Sequence, residues 1–197
     1  MVARNRLPPW HQELRLANGR EILIRPIRPD DALPLRAGFG LLLPDEVRQR
    51  FLHAVKELTP EMADRFCRPD PHTEFALVAA EPLPAGEALV GAVARAAIVP
   101  NTRSAEFAIL VSRYIAEMGL GRQLMQRLAR WARGKRLETL YGDVLEHNQP
   151  MLALAKTMGF RREHGDDPGL VRVVLDLKKR PAQASVPAPA TRPAPGA

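Results

Sequence analysis

Residues 104–132 read SAEFAILVSRYIAEMGLGRQLMQRLARWA, and they limit the possible folds more than any other part of the chain. The run from Ser104 to Val111 is apolar except for Ser104 and Glu106, the pattern of a strand buried on much of both faces. Past Gly119 and Gly121, the residues Leu120, Leu124, Leu128 and Trp131 or Ala132 recur at helical spacing, with Arg122, Gln126, Arg130 and Arg133 on another face. A strand feeding through Gly-x-Gly into such a helix leaves the first helical N–H groups unpaired at the positive end of the helix dipole. That arrangement suits phosphate. A lone Gly-x-Gly pair is most often only a turn; between a strand and a helix it says more.

The rest of the chain supplies neighbours for this unit. At 197 residues and 46% hydrophobic content it can bury one sizeable core, so one domain with appendages is expected. Strands are expected at 21–28, 74–80, 87–99, 104–111, 137–146 and 170–178, and helices from Asp30 to about Leu42, at 44–55, from Thr59 to about Phe66, after Gly119, and at 149–159. Asp30 or Asp31 is a candidate N-cap for the first helix, and Thr59 followed by Pro60 and Glu61 is a strong start signal for the third. Strands in succession, then strand, helix, strand, helix, strand, argue for a mixed α/β sheet covered by helices. Residues 1–18 have few periodic apolar positions and read as a loosely docked arm. Residues 181–197, rich in Pro and Ala, cannot build a core and read as a disordered tail, leaving 19–180 as the domain.

Composition removes several function classes. One cysteine, Cys67, rules out an intramolecular disulfide framework and a Cys-rich zinc site, and its place after Phe66 at a helix end reads as a buried, inert thiol. The five histidines lack the short paired spacing of a metal site, so no metal is expected. With no apolar stretch near the ~20 residues that span a bilayer and no leader-like opening, the chain reads as cytoplasmic, with no membrane partner. The net charge of +7 can reflect nucleic acid, an anionic co-substrate or an acidic partner; because the basic residues are mixed with 22 Asp and Glu, a polyanion track is the weaker reading.

Glu106 is the one acidic residue in its strand, and it has two readings. It is either a structural Glu at a solvated strand end, paired for instance with Arg103, or a base beside a cleft. Asn148, just before Gln149 and Pro150, caps the helix that follows, and that role is compatible with a second one toward a ligand.

The segment VSRYIAEMGLGRQLMQRLARWA resembles the acetyl-CoA signature of the GNAT superfamily of N-acetyltransferases, Arg/Gln-x-x-Gly-x-Gly/Ala at a fixed distance after a strand-ending Val, here Val111. GDVLEHNQPMLALAKTMGF resembles the family's second signature, with Asn148 and Gly159-Phe160 at the family's spacing. IRPIRPDD is similar to many first strands of the family, so the likeness covers roughly 20–178. Bacterial GNAT protein lysine acetyltransferases share AEFA and are the nearest in kind. The resemblance implies a GNAT fold, with a mostly antiparallel sheet of about six or seven strands and splayed strands that form an acetyl-CoA cleft. It implies pantetheine pairing along Ile109, Leu110 and Val111, the diphosphate on the amides of Met118, Gly119, Leu120, Gly121 and Arg122, Asn148 beside the cofactor, and Glu106 as general base. A protein lysine is the acceptor it suggests first, and a small amine is the alternative.

The chain departs from the family pattern at Ala116, where Arg or Gln is usual, and at Glu117, where Gly is usual. A third departure is Ala155, where many relatives carry a Tyr that protonates the leaving thiolate. These departures recommend a rival reading, a non-catalytic sensor that binds acyl-CoA. The oligomeric state is not written in the sequence.

Overall fold

The computed structural model describes residues 9–16, 18–84, 86–113, 115, 119–165 and 167–178. The expected tail and the positions Tyr114, Ala116, Glu117 and Met118 lie outside these residues. Eight strands form one sheet in the order β1-β2-β3-β4-β5-β6-β8-β7. They are β1 (Gln12–Arg15), β2 (Glu21–Pro26), β3 (Glu74–Ala80), β4 (Val90–Ile98), β5 (Ser104–Val111), β6 (Thr139–Leu145), β7 (Arg161–His164) and β8 (Leu170–Asp176). The helices are α1 (Ala32–Phe39), α2 (Pro44–Phe51), α3 (Pro60–Cys67), α4 (Leu120–Gly134) and α5 (Gln149–Thr157). Among the described residues no helix is long and apolar enough to cross a membrane.

The mixed, mostly antiparallel sheet is as expected, but it has eight strands where six or seven are expected. Both additions are edge-side strands with weak sequence signals. Residues 12–15, inside the segment read as an arm, pair with β2, and β7 is an exposed Arg-Arg-Glu-His run that pairs with β8. Neither shows a continuous apolar face.

The sheet divides the helices. On one face α4 and α5 cover the larger core, where Leu124, Leu128, Leu140 and Leu152 are almost fully buried. On the other, Cys67 at the end of α3 packs with Ile27, Val78 and Val93. β3 is buried on both sides, with Leu77 and Ala79 in the first cluster and Ala76, Val78 and Ala80 in the second, which explains its unbroken apolar sequence.

Local signals fix most element starts. Thr59 caps α3 as expected, its Oγ1 accepting from Met62 N at 3.2 Å. The expected helix from Asp30 is instead a short 3-10 turn, Pro29–Asp31, leading into α1. The Asp31 carboxylate does not cap α1: it is buried, accepts both Arg25 terminal nitrogens at 2.7 Å and accepts Arg28 N at 2.8 Å. Removing one partner of such a pair strands a buried charge at a cost of about 3–5 kcal/mol, so this pair fixes the turn between β2 and α1. α2 ends at Phe51, short of the expected span, where Leu52 adopts a left-handed conformation with φ 62°.

One feature of the sheet positions the site. Every neighbouring pair is antiparallel except β5 and β6, which run parallel and pair only at Ser104 with Thr139, Ala105 with Leu140 and Glu106 with Tyr141. Beyond Glu106 the two strands part. Phe107, buried and edge-on to Phe160 at 5.6 Å, fills the fork. Its ring lies where a side chain on Gly142 would stand, so glycine is required there.

Candidate active site

The fork between β5 and β6 opens into a cavity of about 630 Å³. Its walls come from β5 (Glu106 to Val111), the start of α4 (Gly119 to Arg122), the end of β6 with Asn148 and the start of α5, and one face of α2. Glu106, Ile109, Leu110, Val111, Gly119, Leu120, Gly121, Arg122 and Asn148 therefore meet around one space, whereas Met118 lies outside the described residues. The expected strand buried on both faces is buried only at Ala105 and Phe107, because Ala108 to Val111 border this cavity.

At one end, the helix start offers donors. Gly119, at φ 72°, holds the left-handed turn that precedes α4. The first helical bond runs from Gln123 N to Gly119 O at 3.2 Å, so the amides of Leu120, Gly121 and Arg122 have no acceptor within the helix. Leu120 buries its side chain in the core and can contribute only its N–H. The Arg122 side chain, one of the residues lining the cavity, donates to Thr157 Oγ1 at 3.2 Å. These donors and the helix dipole suit a phosphate group. Asn148 Oδ1 accepts from Met151 N at 3.1 Å and so caps α5; its remaining NH₂ is the part left to donate into the cavity.

Three carboxylates, Glu46, Glu106 and Asp143, also line the space, and their partners separate them. Glu46 on α2 accepts from Leu43 N at 2.8 Å and from Arg113 N and Nη1 at 3.1 Å each, which ties α2 to the loop after β5. Asp143 on β6 is gripped by Arg172 through two bonds of 2.8 Å. Glu106 is exposed and, among the described residues, makes no hydrogen bond or ion pair. Arg103, the partner considered from sequence, instead pairs with Glu138 at 2.8 Å. Glu106 is thus the one carboxylate of the three with its oxygens uncommitted. Ala155, by contrast, is buried in the core, so no hydroxyl reaches the cavity from that position.

Sequence reasoning missed the α2 contribution, above all Arg50. Glu46, Gln49 and Arg50 stand at helical spacing in PDEVRQRF and all border the cavity. That spacing announces a shared face, but only the fold says what it faces. Burial, followed by the charge of Arg95, pushes the Arg50 guanidinium down to about 10, with Glu106 acting in the opposite direction.

The profile of the acetyltransferase (GNAT) family matches residues 42–160, and the chain belongs to that family. It is accordingly an N-acetyltransferase by family. It is 28% identical over 152 residues to the Pseudomonas aeruginosa protein named Acetyltransferase PA5475, covering 77% of this chain and 81% of that one. Among solved structures it resembles the GNAT domain of S. lividans PAT, with a TM-score of 0.74 at 23% identity over 87% of this chain and 99% of that one. It also resembles a cAMP-binding acyltransferase from Mycobacterium smegmatis, with a TM-score of 0.57 at 21% identity over 90% of this chain; there it spans 49% of the neighbour's length.

Proposed function

We propose that the protein transfers an acetyl group from acetyl-CoA to a primary amine, with Glu106 as the general base. One observation carries this reading: the amides at the start of α4 and the carboxylate of Glu106, both without a hydrogen-bond partner among the described residues, line a single cavity. Backbone along Ile109 to Val111 stays paired with β4 but has no β6 partner beyond the fork, so on that side it is available to the co-substrate's own amides, and the N–H groups from Leu120 to Arg122 receive its diphosphate. A backbone N–H near Leu110 polarises the thioester carbonyl.

An alkyl amine with pKa ~10.4 is almost wholly an ammonium at neutral pH and has no lone pair for attack. Glu106, directly or through a water, takes that proton. The amine nitrogen then bonds to the acetyl carbon and the carbon–sulfur bond breaks. The departing thiolate takes up the second proton lost by the nitrogen, by way of solvent, since position 155 supplies no acid.

The sequence resemblance favours a protein lysine as acceptor. A largely apolar recess beside Arg50 favours a small amine instead. Calorimetric titration with acetyl-CoA, followed by an assay of thiol release with and without amines, tests the proposal. Binding with amine-dependent thiol release supports it, binding without turnover supports the sensor reading, and no binding refutes both.

A further inference from the structure

The recess beside the cleft is a second cavity of about 340 Å³, bounded by α1, α2 and α3 on one side and β2, β4 and β5 on the other, and open to solvent. Leu35, Phe39, Leu58, Phe66, Val93 and Leu110 make most of its wall apolar. It adjoins the cleft at Arg50, Phe51 and Leu110, which border both spaces.

Three arginines line the recess, and two are engaged. Arg20 pairs with Glu81 at 2.8 Å, and Arg95 donates to the Phe66 carbonyl at 2.7 Å and to Glu74 Oε2 at 3.2 Å. Arg50 lies over the Phe51 ring, 4.9 Å from its centroid, and among the described residues it has no hydrogen bond and no carboxylate within ion-pairing distance. A half-buried cation beside a second cation, offset only in part by the charge of Glu106 beyond ion-pairing distance, is unfavourable for the protein alone and favourable toward an anionic ligand. The guanidinium offers planar paired donors that match a carboxylate.

We propose that the acceptor is a small amine bearing its own carboxylate and an apolar side chain, an α-amino acid of the leucine or phenylalanine kind, whose carboxylate is held by Arg50. This rests on the reading of Glu106 as base. Because an α-amino acid carries amine and carboxylate on one carbon, the ammonium faces Glu106 while the carboxylate meets Arg50 and the side chain enters the recess. At about 340 Å³ the recess has room for one branched or aromatic side chain. A protein lysine brings its amine on a long stem with no carboxylate nearby, and a polyamine adds positive charge beside Arg50 and Arg95.

The test compares thiol release from acetyl-CoA with matched acceptors: leucine against 3-methylbutylamine, phenylalanine against phenethylamine, and a lysine-containing peptide. The wild type should prefer each amino acid over its decarboxylated partner by about 10- to 100-fold in kcat/KM, the range for hydrogen bonds to a charged group. Arg50→Met should collapse that ratio toward one, and Arg50→Lys should restore part of it. If Arg50 were only structural, all acceptors would fall together and the ratio would survive, overturning the proposal. Equal or better turnover of the decarboxylated amines or of the peptide would also overturn it, as would bound acetyl-CoA with no acceptor acetylated. Acetylation of the peptide alone would leave the acetyltransferase reading standing, whereas failure to bind acetyl-CoA would remove that reading itself.

Discussion

Gly142→Ala tests how the cleft is held open. A methyl carbon at position 142 would stand 2.8 Å from Cε1 and Cζ of Phe107 and 2.9 Å from the Phe107 carbonyl oxygen. Carbon atoms pack best at roughly 3.5–4.0 Å, so the overlap is on the order of 1 Å. The ring has little freedom to yield, because Phe160 meets it edge-on at 5.6 Å. The carbonyl oxygen has less, because β5 is paired with β4 along its length. Relief therefore requires β5 and β6 to move apart where the fork begins. Overpacking of this kind costs about 1–3 kcal/mol, which for a domain of this size lowers Tm by roughly 2–12 °C. Calorimetric unfolding measures that loss, and titration with acetyl-CoA should show weakened binding. Wild-type values for both would refute the claim that the Phe107 and Gly142 contact sets the divergence of the strands.

Other expectations follow from the same geometry. A side chain on Gly121 would meet Leu154 at 3.2 Å at the cleft wall, so Gly121→Val should weaken acetyl-CoA binding by at least ~10-fold; unchanged affinity in a folded variant would place the co-substrate elsewhere. Because burial lowers the pKa of Arg50 to about 10, the folded state holds that proton less tightly than the unfolded chain, and the charge opposes folding at neutral pH. Arg50→Met should therefore raise stability by ~1–2 kcal/mol, an advantage that shrinks as pH rises through 10; a drop in Tm would contradict this. Cys67, buried and pushed up to about 11 chiefly by desolvation and then by Asp31, should resist thiol reagents at pH 8 until the protein is unfolded, and rapid labelling of the native protein would show otherwise.

The sequence was informative wherever the structure is decided locally. The strand, turn and helix from Ser104 to Gly134 were readable because apolar periodicity and two glycines lie in one segment. Thr59 and Asn148 were readable because a cap needs only its own first turn. The short edge-side strands β1 and β7 were hidden because what pairs them is the backbone of a neighbour, not an apolar pattern of their own. Asp31 looked like a cap because nothing nearby in sequence announces its bidentate bond to Arg25. The most instructive miss is α2. Its tie through Glu46 to Arg113 joins residues far apart in the chain, and that tie brings Arg50 to the edge of the cleft. Gly142, an isolated glycine within a strand, was a signal of close backbone approach that could have pointed to the fork.

The central claim is that Glu106 removes the acceptor's proton, and steady-state turnover of Glu106→Gln tests it most directly. The substitution keeps size and polarity on an exposed side chain that has no hydrogen bond among the described residues, so folding and acetyl-CoA affinity should be preserved. Turnover at neutral pH should fall by ~10²–10⁴, the range for loss of a general base. Raising the pH toward the acceptor's own pKa should recover part of the loss, because more of the amine is then already neutral. A stable Glu106→Gln protein that binds acetyl-CoA and turns over at near wild-type rate at neutral pH would contradict the account.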